Sequence, residues 1–375
     1  MKIFHLSIIL VAAISLTLSS PAVFAQGIDT LGGPPRLPNV LLTQILSSGN
    51  NVYLLWENGG KFFFQKSVNG GSAFDSPVMV INMTGSRSVE PQMAVSDNNV
   101  YVVWNYFDKN GTYLDFRQSV DNGASFGKTI TLYSDSSLDF LSLELAISAK
   151  HVYIAWMDYS GFTHLIKSDN NGTTFSSVID LDNSTRKLGD PKIFASNNHL
   201  YLLMEGGCII SSGTQQICYP SPYVKRSDGY GNTWSSTNPI INGTAGGFAT
   251  DARVAISGDN VYVIWQYNGY GFGKILFAKS NNDAAAFGNV TSFGNNGQEG
   301  YPDVLTNGNN VYLFWQTDGN NTNDIMFTHS IDGGTTFSKP VDLSNNNFPS
   351  DNYYLYKQVA SSGSNVYATW EKRNG

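Results

Sequence analysis

The chain has 375 residues, with 22 Lys+Arg against 29 Asp+Glu and 14% charged residues. An acidic, weakly charged surface lacks the basic stripe that phosphate backbones require, so nucleic acid is excluded as an expected partner. A chain this long exceeds the usual size of a single core, which leaves several domains or one architecture grown by repetition.

Met1-Lys2 precede an apolar run from Leu6 to Leu18, then Ser19-Ser20-Pro21 and "AVFA" ending at Ala25. This layout predicts a secretory signal peptide, residues 1–25, cut between Ala25 and Gln26. The run is shorter than the ~20 residues a spanning helix needs, and no later stretch is apolar enough to span. Removing Lys2 with the leader brings the net charge to −8. The remainder, 26–375, reads as one domain, secreted or held at the cell surface, and a monomer is expected.

From residue 41 onward the chain repeats itself. One phrase ends at Trp56 ("NVYLLW"), Trp104 ("NVYVVW"), Trp156 ("HVYIAW"), Met204 ("HLYLLM"), Trp265 ("NVYVIW"), Trp315 ("NVYLFW") and Trp370 ("NVYATW"). A second phrase begins at Ser67 ("SVNGGSAF"), Ser119 ("SVDNGASF"), Ser168 ("SDNNGTTF"), Ser227 ("SDGYGNTW"), Ser280 ("SNNDAAAF") and Ser330 ("SIDGGTTF"). Successive starts of the second phrase differ by 52, 49, 59, 53 and 50 residues. Each unit reads as four short strands. They are A ("PQMAVS" in the second unit), B (the Val-Tyr phrase), C ("YLDFRQS") and D, after the turn aromatic. Strand B is apolar on both sides of its pleat and must be covered on both faces, as stacked blades do. The expected fold is all-β, a β-propeller of four-stranded antiparallel blades. Seven A–B pairs and six C–D pairs leave two readings: seven blades with the last half-built, or six blades plus a terminal β-hairpin. Six of the seven tryptophans close B strands and the seventh, Trp234, is a turn aromatic, so repeat packing absorbs them all.

Cys208 and Cys218 lie in "GGCIISSGTQQICYP". Export favours oxidation, and a Gly-Ser-rich hairpin between them predicts a disulfide worth at most ~3 kcal/mol. No third Cys or His lies near for a thiolate metal site. Asn82, Asn110, Asn171, Asn183, Asn242, Asn289 and Asn320 open sequons that are glycan acceptors where the host has the machinery.

The second phrase resembles the Asp box, or BNR repeat, of sialidase-like propellers, and the resemblance covers essentially the whole of 26–375. Its elements are Ser67, Asn69 and Phe74; Ser119, Asp121 and Phe126; Ser168, Asn170 and Phe175; Ser227 and Trp234; Ser280, Asn282 and Phe287; Ser330, Asp332 and Phe337. The Asp or Asn folds back onto turn N–H groups, the Gly accepts φ > 0, and the aromatic plugs the gap between strands. The fourth turn has Gly229 at the Asp position and the fifth lacks its Gly, so both are expected to be looser. The family implies that these turns are structural and lie opposite the working face.

In catalytic members of that family an arginine cluster holds a substrate carboxylate and a Tyr–Glu pair with an Asp does the chemistry. "PPRLP" supplies Arg36, and strand-A approaches supply Arg87, Arg186 and Arg253. The first B–C loop offers Glu57 and no Asp, and "GQEGYPD" places Glu299 and Tyr301 together, unlike the family's arrangement from distant loops. Aromatics gather near B–C loops as candidate sugar platforms: Tyr106, Phe107, Tyr159, Phe162, Tyr219, Tyr223, Tyr267, Tyr270 and Phe272. Glu90, Asp190, Asp251 and Asp303 recur at strand-A starts as rim charge, or as oxygen ligands for a cation in the channel mouth. No cofactor is expected, and His151, His164, His199 and His329 read as structural. The chain is therefore expected to be a non-catalytic surface module that binds a glycan or an exported protein. The alternative is an exo-α-sialidase-type glycoside hydrolase that removes terminal acidic sugars.

Overall fold

The Val-Tyr phrase forms the second strand of each repeat, and the segments around it in sequence complete each sheet. The computed structural model describes residues 8–15, 29–30, 41–83, 87–88, 91–136, 140–158, 160–182, 191–205, 208–211, 215–218, 222–235, 238–240, 247–269, 272–294, 298–319, 322–343, 358–362 and 365–372.

Blade 1 takes its strands A to D from Leu41–Ser48, Asn51–Asn58, Lys61–Ser67 and Val78–Asn82. Blade 2 uses Gln92–Ser96, preceded by the short Arg87–Ser88, then Asn99–Asp108, Gly111–Ser119 and Ile130–Asp135. Blade 3 uses Phe140–Ser148, His151–Asp158, Thr163–Ser168 and Ile179–Asp182. In blade 4 they are Pro191–Ser196, His199–Met204, Tyr223–Asp228 and Thr233–Trp234, with Asn238–Pro239 also on strand C. Blade 5 consists of Gly247–Ser257, Asn260–Gly269, Phe272–Ser280 and Thr291–Phe293. Blade 6 consists of Gln298–Asn307, Asn310–Gly319, Thr322–Ser330 and Val341–Asp342. All six are antiparallel and run in the order A–B–C–D, so the fold is an all-β propeller with six complete four-stranded blades.

The seventh Val-Tyr phrase lies in a terminal hairpin, Gln358–Ser362 with Asn365–Lys372, as the six-blade count has it. Ile8–Ser15, the apolar core of the expected leader, pairs antiparallel with Asn365–Lys372, and Asp29–Thr30 pairs with Ile8–Ser15. Blades 1 and 2 and this hairpin belong to one compact unit, residues 1–137 with 351–375; blades 3 to 6 make the other, 138–350.

Strand B is buried on both faces, as its double-sided apolar pattern requires: Val100 to Val103 are 0% exposed and Trp104 is 3%. Within each unit neighbouring blades share their cores. Tyr53, Leu55 and Phe64 of blade 1 pack with Val100, Val102 and Trp104 of blade 2. Blades 5 and 6 meet through Ile264, Phe277, Val311 and Trp315.

The C–D turns hold one bonding pattern. In the first, Ser67 Oγ donates to Asn69 Oδ1 at 2.8 Å and accepts from Gly71 N at 2.9 Å, while Asn69 Oδ1 accepts from Ala73 N at 2.9 Å. The same three bonds recur at Ser119/Asp121, Ser168/Asn170, Ser280/Asn282 and Ser330/Asp332. In all six blades an N–H of the C–D turn also donates to a carbonyl of the A–B turn beside it, from Gly70 N to Asn50 O through Gly333 N to Asn309 O. The fourth turn is the exception. Without an acid at position 229, Ser227 Oγ donates to Asp228 O at 3.2 Å and Asn232 Nδ2 to Gly229 O at 2.6 Å. The fifth turn corrects the expectation that a missing Gly loosens it. Ala284 adopts φ 62° and donates to Ser280 Oγ at 3.0 Å, keeping the full set.

Within blades 3 to 6 a cation one residue before the turn serine reaches the next blade's turn. Lys167 Nζ donates to Tyr230 O at 3.1 Å, Arg226 Nη1 to Asp283 O at 3.2 Å and Lys279 Nζ to Gly333 O at 3.0 Å. Three histidines serve the same edge: His151 and His199 pair with Asp169 and Asp228 at 2.8 Å, and His329 Nδ1 lies 3.0 Å from Ser338 Oγ.

Candidate functional site

The opposite edge of the blades carries the B–C turns, and there the repeat is less regular. Strand A is bulged in blades 1, 3, 5 and 6, where its register against strand B shifts. In blades 5 and 6 the extra residues are Asp251-Ala252 and Tyr301-Pro302, and both leading residues take φ near 50°. For an aromatic side chain this conformation is a genuine outlier, held only when its surroundings over-determine it. Residues of the preceding blade sit against both bulges: Ala252 N donates to Glu205 Oε1 at 3.0 Å, and a Cβ on Gly300 would lie 3.1 Å from Gln266 Oε1. The bulge turns the Tyr301 side chain outward, leaving it 62% exposed.

Two residues before Tyr301 lies Glu299, 5% exposed. Its counterpart in blade 5 is Ala249, two rungs before the bulge in the same register, so a carboxyl occupies a position that a methyl fills next door. Blade 5 makes room by omitting side chains. A Cβ on Gly294 would come within 2.5 Å of Glu299 Cγ, and one on Gly273 within 2.5 Å of the Glu299 carbonyl oxygen. Amides and a hydroxyl extend the polar floor: Gln266 Nε2 donates to Asn268 Oδ1 at 2.8 Å and Asn268 Nδ2 to Thr250 Oγ1 at 2.9 Å. A buried carboxyl, a chain of amides and an outward phenol can together bind a hydroxyl-rich ring, stacking one face and hydrogen-bonding its rim.

The other candidates fall in varied places. Arg253 stands two residues after Asp251 and turns back to its own bulge, Nη1 donating to Ala252 O at 3.0 Å. Asp303 Oδ1 accepts from Val304 N at 3.0 Å. Glu57 closes its own B–C turn by accepting from Gly60 N at 2.9 Å. Arg87 lies in the short strand of blade 2, paired with Phe107. Tyr223 is a correction: it sits in strand C of blade 4, 5% exposed in the core, because the B–C excursion of that blade is long and strand C begins only at 223. Tyr267 packs half-buried on the core between blades 4 and 5, and Tyr106 stacks on Tyr113 with ring centroids 4.9 Å apart. Arg36, Glu90, Tyr159, Arg186, Asp190, Tyr219 and Tyr270 lie outside the described residues. Among the described residues no three metal-ligating side chains converge. The sequence reading missed Gln266, Asn268 and Thr250. The signal was available, because the residue after the B-strand Trp or Met is polar in most repeats: Glu57, Asn105, Glu205, Gln266 and Gln316.

No protein-family model matches the chain, and no curated protein does. Solved structures match in fold. A protein of unknown function from Dyadobacter fermentans aligns at 12% identity over 90% of this chain and 100% of its own, with a TM-score of 0.54. An ulvan lyase, a polysaccharide lyase bound to -[GlcA(1-4)Rha3S]-, aligns at 9% identity over 84% of both chains, with a TM-score of 0.55. A Trypanosoma rangeli sialidase aligns at 12% identity over 80% of this chain and 55% of its own, with a TM-score of 0.48. The first two share this chain's fold. A fold common to a lyase and to a protein of unassigned role leaves function to the site itself.

Proposed function

We propose that this protein is an exported glycan-binding propeller that holds its ligand on the B–C edge of blades 5 and 6 without turnover. The observation that carries this reading is Glu299, a buried carboxyl two residues before the outward Tyr301, where the neighbouring blade has alanine. The ulvan lyase of like fold, a polysaccharide lyase bound to -[GlcA(1-4)Rha3S]-, and the resemblance of the C–D turns to Asp boxes support a carbohydrate partner over another exported protein. Residues 1–25 act as the leader, and the product is secreted or displayed at the cell surface. The backbone register sets Cys208 opposite Cys218 in the hairpin Cys208–Ser211 with Gln215–Cys218, at a spacing that admits the disulfide we assign to them. Intact mass before and after reduction checks that bond; free thiols in the exported protein would refute it.

The test of the main reading is a glycan array with purified 26–375, followed by titration of the best ligand. Tyr301→Ala is expected to weaken binding about tenfold, and Glu299→Gln to weaken it with no loss of melting temperature. An array without hits, or binding indifferent to both changes, would refute it. The competing hydrolase reading draws on the adjacency of Glu299 and Tyr301. Cleavage of a fluorogenic sialoside, abolished in both variants, would replace binding with catalysis.

A further inference from the structure

The blades also differ at a second level. The residue that ends the Val-Tyr phrase of strand B is Trp56, Trp104, Trp156, Met204, Trp265 and Trp315 in blades 1 to 6. Its cross-strand partners on strand C are Phe63, Asp115, His164, Tyr223, Leu276 and Met326. Such partners have Cβ atoms about 4.5–5.5 Å apart and form one packed pair. In blade 1 the pair is apolar, Phe63 stacking on Trp56 at 4.6 Å, and Trp56 Nε1 donates to Gln65 Oε1 at 2.8 Å. Blade 2 breaks both features. Asp115 replaces the ring, 6% exposed, and Arg117 stands where blade 1 has Gln65. A guanidinium accepts no hydrogen bond, and this one is engaged with three carbonyls: Val80 O at 2.5 Å, Gly127 O at 2.8 Å and Phe126 O at 3.3 Å. Trp104 Nε1, on a side chain 3% exposed, finds no acceptor among the described residues. A buried donor without an acceptor costs about 1–3 kcal/mol and is rare in native structures.

The Trp104 ring packs in the apolar core shared with blade 1, and polar and aromatic side chains lie beside it on the same face of blade 2. Thr131 Oγ1 donates to Asp115 Oδ1 at 2.7 Å. Two rungs nearer the B–C turn, on the same face, Tyr106 and Tyr113 stack at 4.9 Å with their planes 17° apart. Burial raises the Asp115 pKa against the bond from Thr131, and burial followed by the charge of Asp115 raises that of the Tyr106 phenol.

We propose that blade 2 carries a second ligand site, for a polyhydroxylated ring such as a sugar residue. One ligand oxygen accepts from Trp104 Nε1, a neighbouring hydroxyl donates to Asp115, and the ring is covered by the Tyr106–Tyr113 pair. The site is independent of Glu299 and Tyr301.

The indole N–H of Trp104 reports directly on this idea. In 15N-labelled protein its resonance is identified by its loss in Trp104→Phe, then followed while methyl glycosides of glucose, N-acetylglucosamine, rhamnose and glucuronic acid are added. A saturable shift of that resonance by one of the four is expected, weakened about tenfold in Asp115→Asn and unchanged in Tyr301→Ala. No shift with any of the four, or a shift identical in Asp115→Asn, overturns the proposal. A long-lived water at the indole that no glycoside displaces overturns it as well.

Discussion

The two edges of the blades obey different rules. At the C–D turn edge five of six repeats hold the same three hydrogen bonds, and their lengths agree within 0.3 Å although the acceptor alternates between Asn and Asp. At the B–C edge equivalent rungs carry alanine or glutamate, phenylalanine or aspartate. Where every copy does the same work, each keeps the residues that do it. Where one copy places a carboxyl at a rung that the preceding blade fills with carbon, its burial costs free energy, and ligand binding is one way to offset that cost. Changes at the turn edge should therefore act on stability, and changes at the B–C edge on recognition.

The largest effect is expected at Gly123, in the second turn. It has φ 85°, and a Cβ there would lie 2.0 Å from Phe64 Cε1 of blade 1. Gly123→Ala combines overpacking with a left-handed alanine and should cost about 3–4 kcal/mol, read as a lower urea midpoint at unchanged m. Phe64→Val in the same chain should recover part of that loss. A single variant as stable as the parent would show that the turn is not seated on blade 1. Serine deletion comes next. Ser119→Ala leaves the buried Gly123 N–H without its acceptor and should cost about 1–2 kcal/mol. Ser227→Ala, in the turn that never formed the pattern, should cost well under 1 kcal/mol. Equal losses would erase the distinction between regular and irregular turns.

The fold was legible because its signals are local. The Val-Tyr phrase and the Ser-x-Asp-x-Gly turn each carry their own geometry, so strands, turns and the four-strand unit followed from spacing. The fifth turn misled because its tolerance is set elsewhere. Position 284 packs with the preceding blade at Val224, where blades 1 and 5 carry Phe64 and Phe277. Beside Phe64 and Phe277 the turn needs Gly123 and Gly334; beside the smaller Val224 it admits a methyl. The candidate site was half legible for the same reason. Glu299 and Tyr301 stood out in sequence, but Gly273, Gly294 and Gln266 come from the neighbouring blade, and no local pattern points to them. Likewise the unmatched indole of Trp104 shows only when Gln65 and Arg117 are set in the same register.

This packing rule gives a third, smaller expectation. Val224→Phe alone should destabilise by about 1–3 kcal/mol, because the ring meets the Ala284 methyl. Ala284→Gly alone should be nearly neutral, with relief of left-handed strain set against a lost methyl and a freer unfolded chain. Together the two changes rebuild the Phe–Gly pair seen at Phe64 with Gly123 and at Phe277 with Gly334, and should couple favourably by about 1 kcal/mol or more. Strict additivity in the double-mutant cycle would sink the rule.

The smallest effect lies in acid. The side-chain bond from Ser125, with those from Ser119 and the backbone, lowers the Asp121 pKa from 3.8 to about 2, and the Thr336 hydroxyl does the same, more strongly, for Asp332. A carboxyl whose folded pKa is depressed contributes stability that is complete above the unfolded value and is lost as pH falls through the folded one. These two turns should therefore weaken from about pH 4 downward to about pH 2, while turns built on Asn69, Asn170 and Asn282 do not. Asp121→Asn with Asp332→Asn should leave the neutral melting temperature nearly unchanged. In the third turn an asparagine already keeps the backbone bonds and reverses only the outer one, Asn170 Nδ2 donating to Thr174 Oγ1 at 2.8 Å. The same pair of changes should flatten the fall of melting temperature across that acid window. Asp115 responds with the opposite sign, since burial raises its pKa and protonation relieves it, so its titration cannot produce the loss. An acid limb as steep in the double variant as in the parent would place the sensitivity outside the turns and leave the Asn and Asp copies equivalent in function.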